Sequence, residues 1–472
     1  MDAFIASLEP LTTVRLDGFD NCNGVINIPF YFWYEKTVPP NVLETAFYKA
    51  MEKFPILAGR VITGGDSRTH IEIDKNRLNM PVYTDSSCHV HFQTLRNADF
   101  DVKLLPVDYT SLSGFAAPTG IIGNHIKLAE IHVLRMAGGS GMCIFASISH
   151  ALFDGTAFCY FMKYWADISI AILASRDKHD ARELALPERV FQLDRSVLET
   201  NKPCEMDALD PEFCKAIDRD SFLSSWLAWF SPELRGRLLN GLMSASHTAS
   251  SYVHLPSSTL EHLTNEVLPF IESGIPRLSE NDMVTALITV LFAQALDDVG
   301  GLADKTDFVT VIAANMRPRV KRLAGINYAG NSSILCEVFS PLAPILKVCD
   351  NAQALAAIAC NVRRLVDKID ESYCDQIGYL INKTPCGYAN MNMRIITRTN
   401  FVVVSNLTRV PFYDVDFGTG SPSLVRPSFL VTKNAAFIMP GRPGVGGIDI
   451  ALFTDPKIEN SLSKSGLWQY FS

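Results

Sequence analysis

The chain has 472 residues, a net charge of −8, 48% hydrophobic residues and 19% charged residues. This composition predicts a globular protein with a large buried core and excludes a disordered chain. No cluster of Lys and Arg interrupts the acidic balance, so a phosphate backbone would find no basic surface, and we expect no nucleic-acid partner.

The N-terminal segment lacks the basic start and the apolar stretch of a secretory signal, and no later segment has about 18 uninterrupted apolar residues. We therefore expect a cytoplasmic protein that does not insert into a membrane. Eleven cysteines, an odd number without a Cys-x-x-Cys pair, favour reduced thiols over disulfides or a structural metal. Without a secretory signal, the glycosylation sequons at Asn331, Asn382 and Asn406 are interpreted as chance matches.

Helical and strand-like patterns alternate throughout the chain, which predicts an α/β or α+β fold. Residues Pro40 to Phe54 have apolar side chains at helical spacing, the pattern of an amphipathic helix. Ile126 to Met136 and Met142 to Ser149 follow as two strands, joined by a glycine-rich turn, that should pair antiparallel. Helical spacing returns after Asp154, which occupies the position of a helix N-cap.

Periodicity fades between Ser175 and Phe222, where charged residues and prolines accumulate. We interpret this stretch as a crossover between two domains. The predicted division is an N-terminal domain over 1–184, a crossover over 185–220 and a C-terminal domain over 221–472.

The second half of the chain has the pattern of a sheet covered by helices. Ser279 and Asp282 have the spacing of a capping box at the start of a helix. The remaining predicted elements are strands at Phe308–Ala314, Phe401–Ser405, Ala435–Met439 and Gly447–Phe453, and a helix at Asn351–Asp370.

His150 ends an apolar strand four residues before Asp154, the residue that opens the next helix. This order places the imidazole in a turn at a sheet edge, where a ligand can reach it. With an ordinary pKa near 6.5, a histidine can take a proton from a hydroxyl and return it to a leaving group. The alternative is a histidine on the surface or satisfied in the core.

His150-Ala151-Leu152-Phe153-Asp154-Gly155 resembles the His-x-x-x-Asp-Gly motif of the BAHD family of acyl-CoA-dependent acyltransferases. Further segments resemble motifs of that family in the same order along most of the chain. They are Phe54–Arg60, Ser279–Leu287, Ala314–Arg319, Tyr328–Asn331, Pro411–Gly420 and Gly446–Asp449.

The resemblance implies two α/β domains of chloramphenicol-acetyltransferase-like fold, with mixed sheets and helices and a channel between them. Acyl-CoA would be a co-substrate and not a bound cofactor. It would enter from one face and a small-molecule alcohol from the other, meeting at His150 without a covalent acyl-enzyme. Asp154 would be structural, paired with Arg317.

The same resemblance implies a mechanism in which His150 deprotonates the acceptor and then reprotonates the departing thiolate. Ser405 falls where the family places a hydroxyl that stabilises the tetrahedral oxyanion. The alternative for Ser405 is a hydroxyl at a strand end that bonds to local backbone. Asp416, Phe417, Gly418 and Gly420 match the family's Asp-Phe-Gly motif. Of these, Asp416, Gly418 and Gly420 are interpreted as holding a turn far from the chemistry.

Two positions depart from the family pattern. Thr419 stands where the motif usually has Trp, and Leu407 stands where many members have another Trp. These departures favour a microbial enzyme, for example a fungal one, acting in secondary metabolism, over a plant phenolic acyltransferase. We expect a monomer. The acyl group, the acceptor and the residues that line the CoA channel do not follow from the sequence.

Other chemistries have weaker patterns. His89 and His91 would project from one face of a strand as a metal pair, but no further ligands complete the set, so we expect no metal. The glycines over 441–447 do not lead from a strand into a helix, which favours a turn over a dinucleotide loop. The absence of a Gly-x-Ser-x-Gly segment disfavours a serine hydrolase.

Two alternatives to the acyl-CoA enzyme remain. A condensation-type enzyme, which takes its acyl group from a carrier protein, typically has two adjacent histidines, whereas Ser149 precedes His150 here. A catalytically inactive binding protein could keep the fold, although the retained His150 and Arg317 favour an enzyme.

Overall fold

The computed structural model describes residues 1–22, 27–63, 69–106, 127–176, 186–199, 249–303, 306–347, 351–383, 399–428 and 434–471. In chain order the strands of this part are β1 (Leu11–Arg15), β2 (Asn27–Tyr34), β3 (Arg60–Thr63), β4 (Thr69–Asp74), β5 (Val82–Ser87), β6 (Ala129–Arg135), β7 (Met142–Ser149), β8 (Ala249–Leu255), β9 (Asp307–Asn315), β10 (Ser333–Pro341), β11 (Phe401–Asn406), β12 (Leu424–Pro427), β13 (Ala435–Pro440) and β14 (Ile448–Thr454). The helices are α1 (Asp2–Ser7), α2 (Gly18–Cys22), α3 (Pro40–Met51), α4 (Phe92–Asn97), α5 (Gly155–Arg176), α6 (Ser257–Val267), α7 (Glu280–Asp298), α8 (Leu342–Ile345), α9 (Asn351–Lys368), α10 (Glu371–Lys383) and α11 (Pro456–Leu462).

The described strands form three sheets. A five-stranded sheet has the order β12-β2-β7-β6-β5, and a six-stranded sheet has the order β10-β9-β11-β13-β14-β8. A small sheet of β1, β4 and β3 completes the set. The two large sheets are mixed: β5 pairs parallel with β6, and β11 pairs parallel with both β9 and β13. This is the α/β architecture predicted from the sequence.

Helix α5 belongs to the core of the five-stranded sheet. It begins one residue after Asp154, whose Oδ1 accepts a hydrogen bond from the Ala157 amide at 2.9 Å, so Asp154 is the predicted N-cap. The Trp165 indole donates to the Leu43 carbonyl of α3 at 2.9 Å. Within the described residues, Gly155–Ser175 is the stretch apolar and long enough to cross a membrane by composition, but 61% of its most apolar window is buried inside the fold. This burial identifies α5 as a core helix.

The predicted elements of the second half are also present, with ends shifted by at most two residues. The Ser279 and Asp282 side chains each accept a hydrogen bond from the other residue's backbone amide, which confirms the capping box of α7. Helix α7 packs beside α9 over the six-stranded sheet, where it contributes most of its side chains to the core. The glycines over 441–447 form the turn between β13 and β14, three of them with positive φ, as predicted.

One strand crosses between the two large halves. β12 lies at the edge of the five-stranded sheet, antiparallel to β2, although it comes from the C-terminal part of the chain. The predicted boundaries at 184 and 220 stay a prediction, because the described part of the crossover is limited to 186–199. Within that part, Gln192 forms a bridge with Tyr328.

The interpretation of His89 and His91 as neighbours on a strand is wrong. β5 ends at Ser87, and His91 is the N-cap of α4, where its Nδ1 accepts a hydrogen bond from the Gln93 amide. Capping was favoured over strand pairing because the chain turns into a helix one residue later. No group of three or more potential metal ligands occurs among the described residues.

Candidate active site

His150 lies at the meeting point of the two large sheets. It directly follows β7, a central strand of the five-stranded sheet, and its side chain is half-buried. Asn331 and Ser332 directly precede β10, the edge strand of the six-stranded sheet. The turn after β7 and the segment before β10 therefore face each other, and the contacts between them define the site.

The imidazole of His150 is held by Asn331. His150 Nδ1 lies 3.2 Å from Asn331 Oδ1, and Asn331 Nδ2 donates to the His150 carbonyl oxygen at 2.7 Å. Asn331 is fully buried, and Asp20 Oδ1 accepts from both its Nδ2 and its backbone amide, at 2.9 and 3.1 Å. Every polar atom of this amide side chain thus has a partner.

Asp154 connects the start of α5 to the opposite sheet. Its Oδ2 accepts from Arg317 Nη1 at 2.7 Å and from the Ser332 amide at 2.9 Å, while its Oδ1 caps the helix. Arg317 also donates to the carbonyl oxygens of Tyr328 and Gly330. These contacts occupy both carboxylate oxygens of Asp154 with structural partners.

The electrostatic environment separates the two residues. Burial removes water from the imidazole and lowers the pKa of His150, although Asp154 and Asn331 oppose this shift. Burial alone would raise the pKa of Asp154, but Arg317 and the backbone donors outweigh it and leave that pKa below its usual value. At neutral pH His150 is therefore neutral and Asp154 ionised.

A buried charged cluster lies behind Asn331. It contains the carboxylates of Asp17 and Asp20, the guanidinium of Arg195 and the phenol of Tyr328, all at most 3% exposed. Arg195 Nη1 lies 3.5 Å from Asp20 Oδ1, and the Tyr328 hydroxyl donates to Asp17 Oδ2 at 3.1 Å. A Cβ atom at residue 330 would come within 1.8 Å of Arg195, so this close approach requires Gly330.

Comparison with known proteins decides the family. A family model described as the transferase family matches residues 6–458. The chain belongs to the BAHD transferase family. It is therefore an enzyme that transfers acyl groups other than aminoacyl groups, as the sequence motifs predicted.

Curated BAHD relatives are distant but extend over most of the chain. A hydroxycinnamoyltransferase of Narcissus pseudonarcissus is 21% identical over 87% of this chain and 84% of its own length. Anthranilate N-benzoyltransferase protein 1 of Dianthus caryophyllus is 23% identical over 87% and 82%.

Solved structures show the same fold. TRI101 of F. graminearum, in complex with coenzyme A and deoxynivalenol, has a TM-score of 0.69 at 14% identity and covers 98% of this chain and 99% of its own. A condensation domain of the calcium-dependent antibiotic synthetase matches less well, with a TM-score of 0.55 at 13% identity over 97% and 95%. Because both share the architecture, the fold alone does not separate the BAHD enzyme from the condensation-type alternative, whereas the family model does.

Two further positions of the BAHD pattern lie on β11 and directly after it. Ser405 is half-buried between Ala313 of β9 and Phe437 of β13, and its hydroxyl makes no hydrogen bond to a described residue. Leu407, two residues later, approaches the start of α5: a Cβ atom at Gly155 would lie 3.0 Å from Leu407 Cδ2. β11 therefore leads toward the helix that begins beside His150.

The Asp-Phe-Gly segment of the BAHD pattern forms a turn at the other end of α5. Asp416 Oδ1 accepts from the amides of Gly418, Thr419 and Gly420 at 2.7 to 2.9 Å, and both glycines have positive φ. The Phe417 carbonyl accepts from Ser169, which lies about 21 Å along α5 from Gly155, at about 1.5 Å per residue. This segment forms a turn that packs on α5 far along the helix from its start.

The residues that surround the imidazole of His150 were not predicted from the sequence. Asn331 was part of a recognised segment, but nothing in its pattern indicated a contact with His150. Asp17 directly precedes the short helix α2 and Asp20 lies within it, in a segment without a recognisable motif, and Arg195 lies in a crossover rich in charged residues. Only the return of three distant segments to the turn after β7 brings these groups together.

Proposed function

We propose that this BAHD enzyme transfers an acyl group from acyl-CoA to a hydroxyl of a small-molecule acceptor, with His150 as the general base. The observation that carries the proposal is a half-buried imidazole at the junction of the two large sheets, held on one side by Asn331, whose surroundings lower the pKa of His150 mainly through burial. A neutral imidazole with a free lone pair is the form required to accept a proton. Support for the acyl donor comes from TRI101, whose structure contains coenzyme A together with deoxynivalenol.

The proton path closes on one residue. Nε2 of His150 takes the acceptor proton as the hydroxyl oxygen attacks the thioester carbon, which forms a C–O bond and a tetrahedral oxyanion. When the C–S bond breaks, the imidazolium returns that proton to the departing thiolate. The products are an ester and the CoA thiol, and the imidazole is neutral again.

Ser405 is the proposed donor to the oxyanion. Its hydroxyl has no hydrogen bond within the described residues, so it can turn toward a substrate oxygen. Such donors contribute about 3–4 kcal/mol to transition-state stabilisation where their removal has been measured. Asp154 and Arg317 have no part in this path, since their polar atoms are occupied by each other and by backbone groups.

The test is His150→Ala in a thiol-release assay with acetyl-CoA and a panel of alcohols and amines. We expect kcat to fall by about 10²- to 10⁴-fold, because no other base replaces the imidazole. His262→Ala, on the exposed face of α6, is the matched control and should keep the wild-type rate. Unchanged turnover in His150→Ala would contradict the role of the base, and turnover of amines alone would contradict the hydroxyl acceptor.

The pH profile gives a second reading of the same proposal. Burial lowers the pKa of His150, so the midpoint of the acid limb in the pH profile of kcat/KM should lie below pH 6.5. The value of kcat/KM should decrease only when the pH falls below that midpoint. An acid limb well above pH 6.5 would mean that the imidazole is not the titrating base.

A further inference from the structure

The orientation of the Asn331 amide follows from its contacts. Its Nδ2 position lies 2.7 Å from a backbone carbonyl oxygen and 2.9 Å from a carboxylate oxygen of Asp20. Both partners are acceptors, so the group facing them has to be the NH2 and not the oxygen. The amide oxygen is consequently the atom that faces His150.

This orientation constrains the proton on the imidazole. Asn331 Oδ1 lies 3.2 Å from His150 Nδ1 and can only accept a hydrogen bond. In a neutral imidazole one nitrogen carries the hydrogen and the other the lone pair, so the hydrogen belongs on Nδ1. The lone pair then belongs to Nε2.

The buried cluster supplies the anchor that holds the amide in place. Burial and the neighbouring Asp20 raise the pKa of Asp17 well above its usual value. Burial raises the pKa of Asp20 as well, but Arg195 Nη1, 3.5 Å from Asp20 Oδ1, opposes that shift. Asp20 Oδ1 accepts from both the side-chain amide and the backbone amide of Asn331, and these two bonds fix the orientation of the side chain.

We propose that Asn331, anchored by Asp20, is a positioning residue that keeps the hydrogen of neutral His150 on Nδ1 and so presents Nε2 to the acceptor hydroxyl. The inference rests on the proposed function of His150 and names how its reactive nitrogen is chosen. Because the amide of Asn331 is neutral, it adds no negative charge beside the ring. The imidazolium formed during transfer is thus left acidic enough to protonate the thiolate.

A structural role alone is the competing account, since the same bonds also hold β10 against the turn after β7. The two accounts differ in what happens to the ring hydrogen. A structural role leaves the tautomer unspecified, whereas the positioning role requires Nδ1–H in the wild type and its loss when the acceptor oxygen is removed.

The first experiment uses the wild-type enzyme. Long-range ¹H–¹⁵N spectra of protein labelled with ¹⁵N-histidine distinguish the two tautomers, and the His150 signals are assigned by their loss in His150→Gln. We expect the Nδ1–H form. A predominant Nε2–H form in the free enzyme would overturn the proposal without any variant having to fold.

The second experiment compares substitutions at residue 331. Asn331→Leu removes the acceptor oxygen and should give mixed tautomers and a kcat at least about tenfold lower, with the KM for acetyl-CoA nearly unchanged. Asn331→Asp keeps an oxygen opposite Nδ1 but loses the donor to Asp20, so it should keep more of the Nδ1–H tautomer than the Leu variant and less than the wild type. Equal tautomer populations in the Leu variant, the Asp variant and the wild type would overturn the proposal.

Asp20→Leu tests the anchor. It removes the acceptor of Asn331 and should loosen the tautomer preference, whereas the exposed control His262→Ala should keep the wild-type tautomer and rate. Retention of the wild-type tautomer in a folded Asp20→Leu variant would contradict the assigned anchor.

These readouts also separate the inference from the proposed function. If His150→Ala retains full activity, the general-base role fails whatever the tautomer spectra show. If His150→Ala is inactive but the wild type shows Nε2–H, the base survives and the positioning role of Asn331 fails.

Discussion

The buried carboxylate of Asp154 joins three separate segments of the chain. One oxygen caps α5, and the other accepts from Arg317 and from the backbone amide of Ser332, directly before β10. Asp154 and Arg317 have side chains about one-tenth exposed, so water compensates little for the loss of either partner. Removing one member of the pair therefore destabilises the fold mainly because the other charge stays buried without a counter-ion.

Asp154→Asn should lower the free energy of unfolding by about 3–5 kcal/mol at pH 7, because it leaves the Arg317 charge buried without a counter-ion. The pKa of Asp154 is lower in the folded than in the unfolded protein, so its contribution exists above the unfolded value and is lost as pH falls through the folded one. The difference from wild type in urea unfolding should accordingly shrink below about pH 4.

A double variant checks the mechanism of that loss. Asp154→Leu combined with Arg317→Met removes both charges and should recover part of the stability that the single variant loses. Purely additive losses would show that the two residues contribute independently and not as an ion pair.

At the scale of elements, helix α5 links two motifs that are far apart in the sequence. Its first residue lies beside His150 and Leu407, and its last turns pack on the Asp-Phe-Gly turn. Phe417 packs edge-to-face against Trp165 of the same helix, with ring centroids 4.7 Å apart. The Asp-Phe-Gly turn thus holds the C-terminal part of α5, and the N-terminus of the same helix lies next to the candidate active site.

Gly418→Ala and Gly420→Ala form a matched pair for this packing. Both positions have φ near +100°, so each alanine should cost about 1–3 kcal/mol of backbone strain. A Cβ at 418 would also come within 2.7 Å of Leu173 in α5, whereas one at 420 meets open space. Thermal unfolding should therefore show a larger decrease in stability for Gly418→Ala than for Gly420→Ala. Equal decreases would contradict a contribution from the contact between residue 418 and α5.

At the scale of the whole molecule, β12 ties the two large sheets together. Its Arg426 donates to Asp99, near the end of α4, and lies 4.5 Å above the ring of Tyr252 in β8. The Tyr252 hydroxyl donates to the Pro427 carbonyl at 2.9 Å. One buried guanidinium therefore contacts both halves of the protein.

Arg426→Met should reduce stability by about 1–3 kcal/mol, because it removes the buried charge partner shared by the two halves. Unfolding followed by far-UV circular dichroism and by tryptophan fluorescence should give transitions that coincide in the wild type and separate in the variant. Arg77→Met, an exposed pair within the small sheet, is the control and should change stability by less than about 1 kcal/mol. Coinciding transitions in Arg426→Met would mean that other contacts couple the halves.

The sequence by itself determined the elements with strong local signals. The amphipathic stripe of α3, the capping box of α7 and the glycine turns follow from spacing and backbone preference, which are local properties. The ordered motifs also identified the family and singled out His150, since each motif is readable within a few residues.

The tertiary structure alone decided which residues surround His150. Asn331, Asp20 and Arg195 are separated from it by up to 181 residues, and their sequence patterns match ordinary turns and charged linkers. His91 is a second example: the sequence pattern predicted a strand residue, but the helix that follows makes it an N-cap. Hydrogen bonds between distant segments depend on how sheets and crossovers close around a common core, and no local pattern of residues encodes that closure.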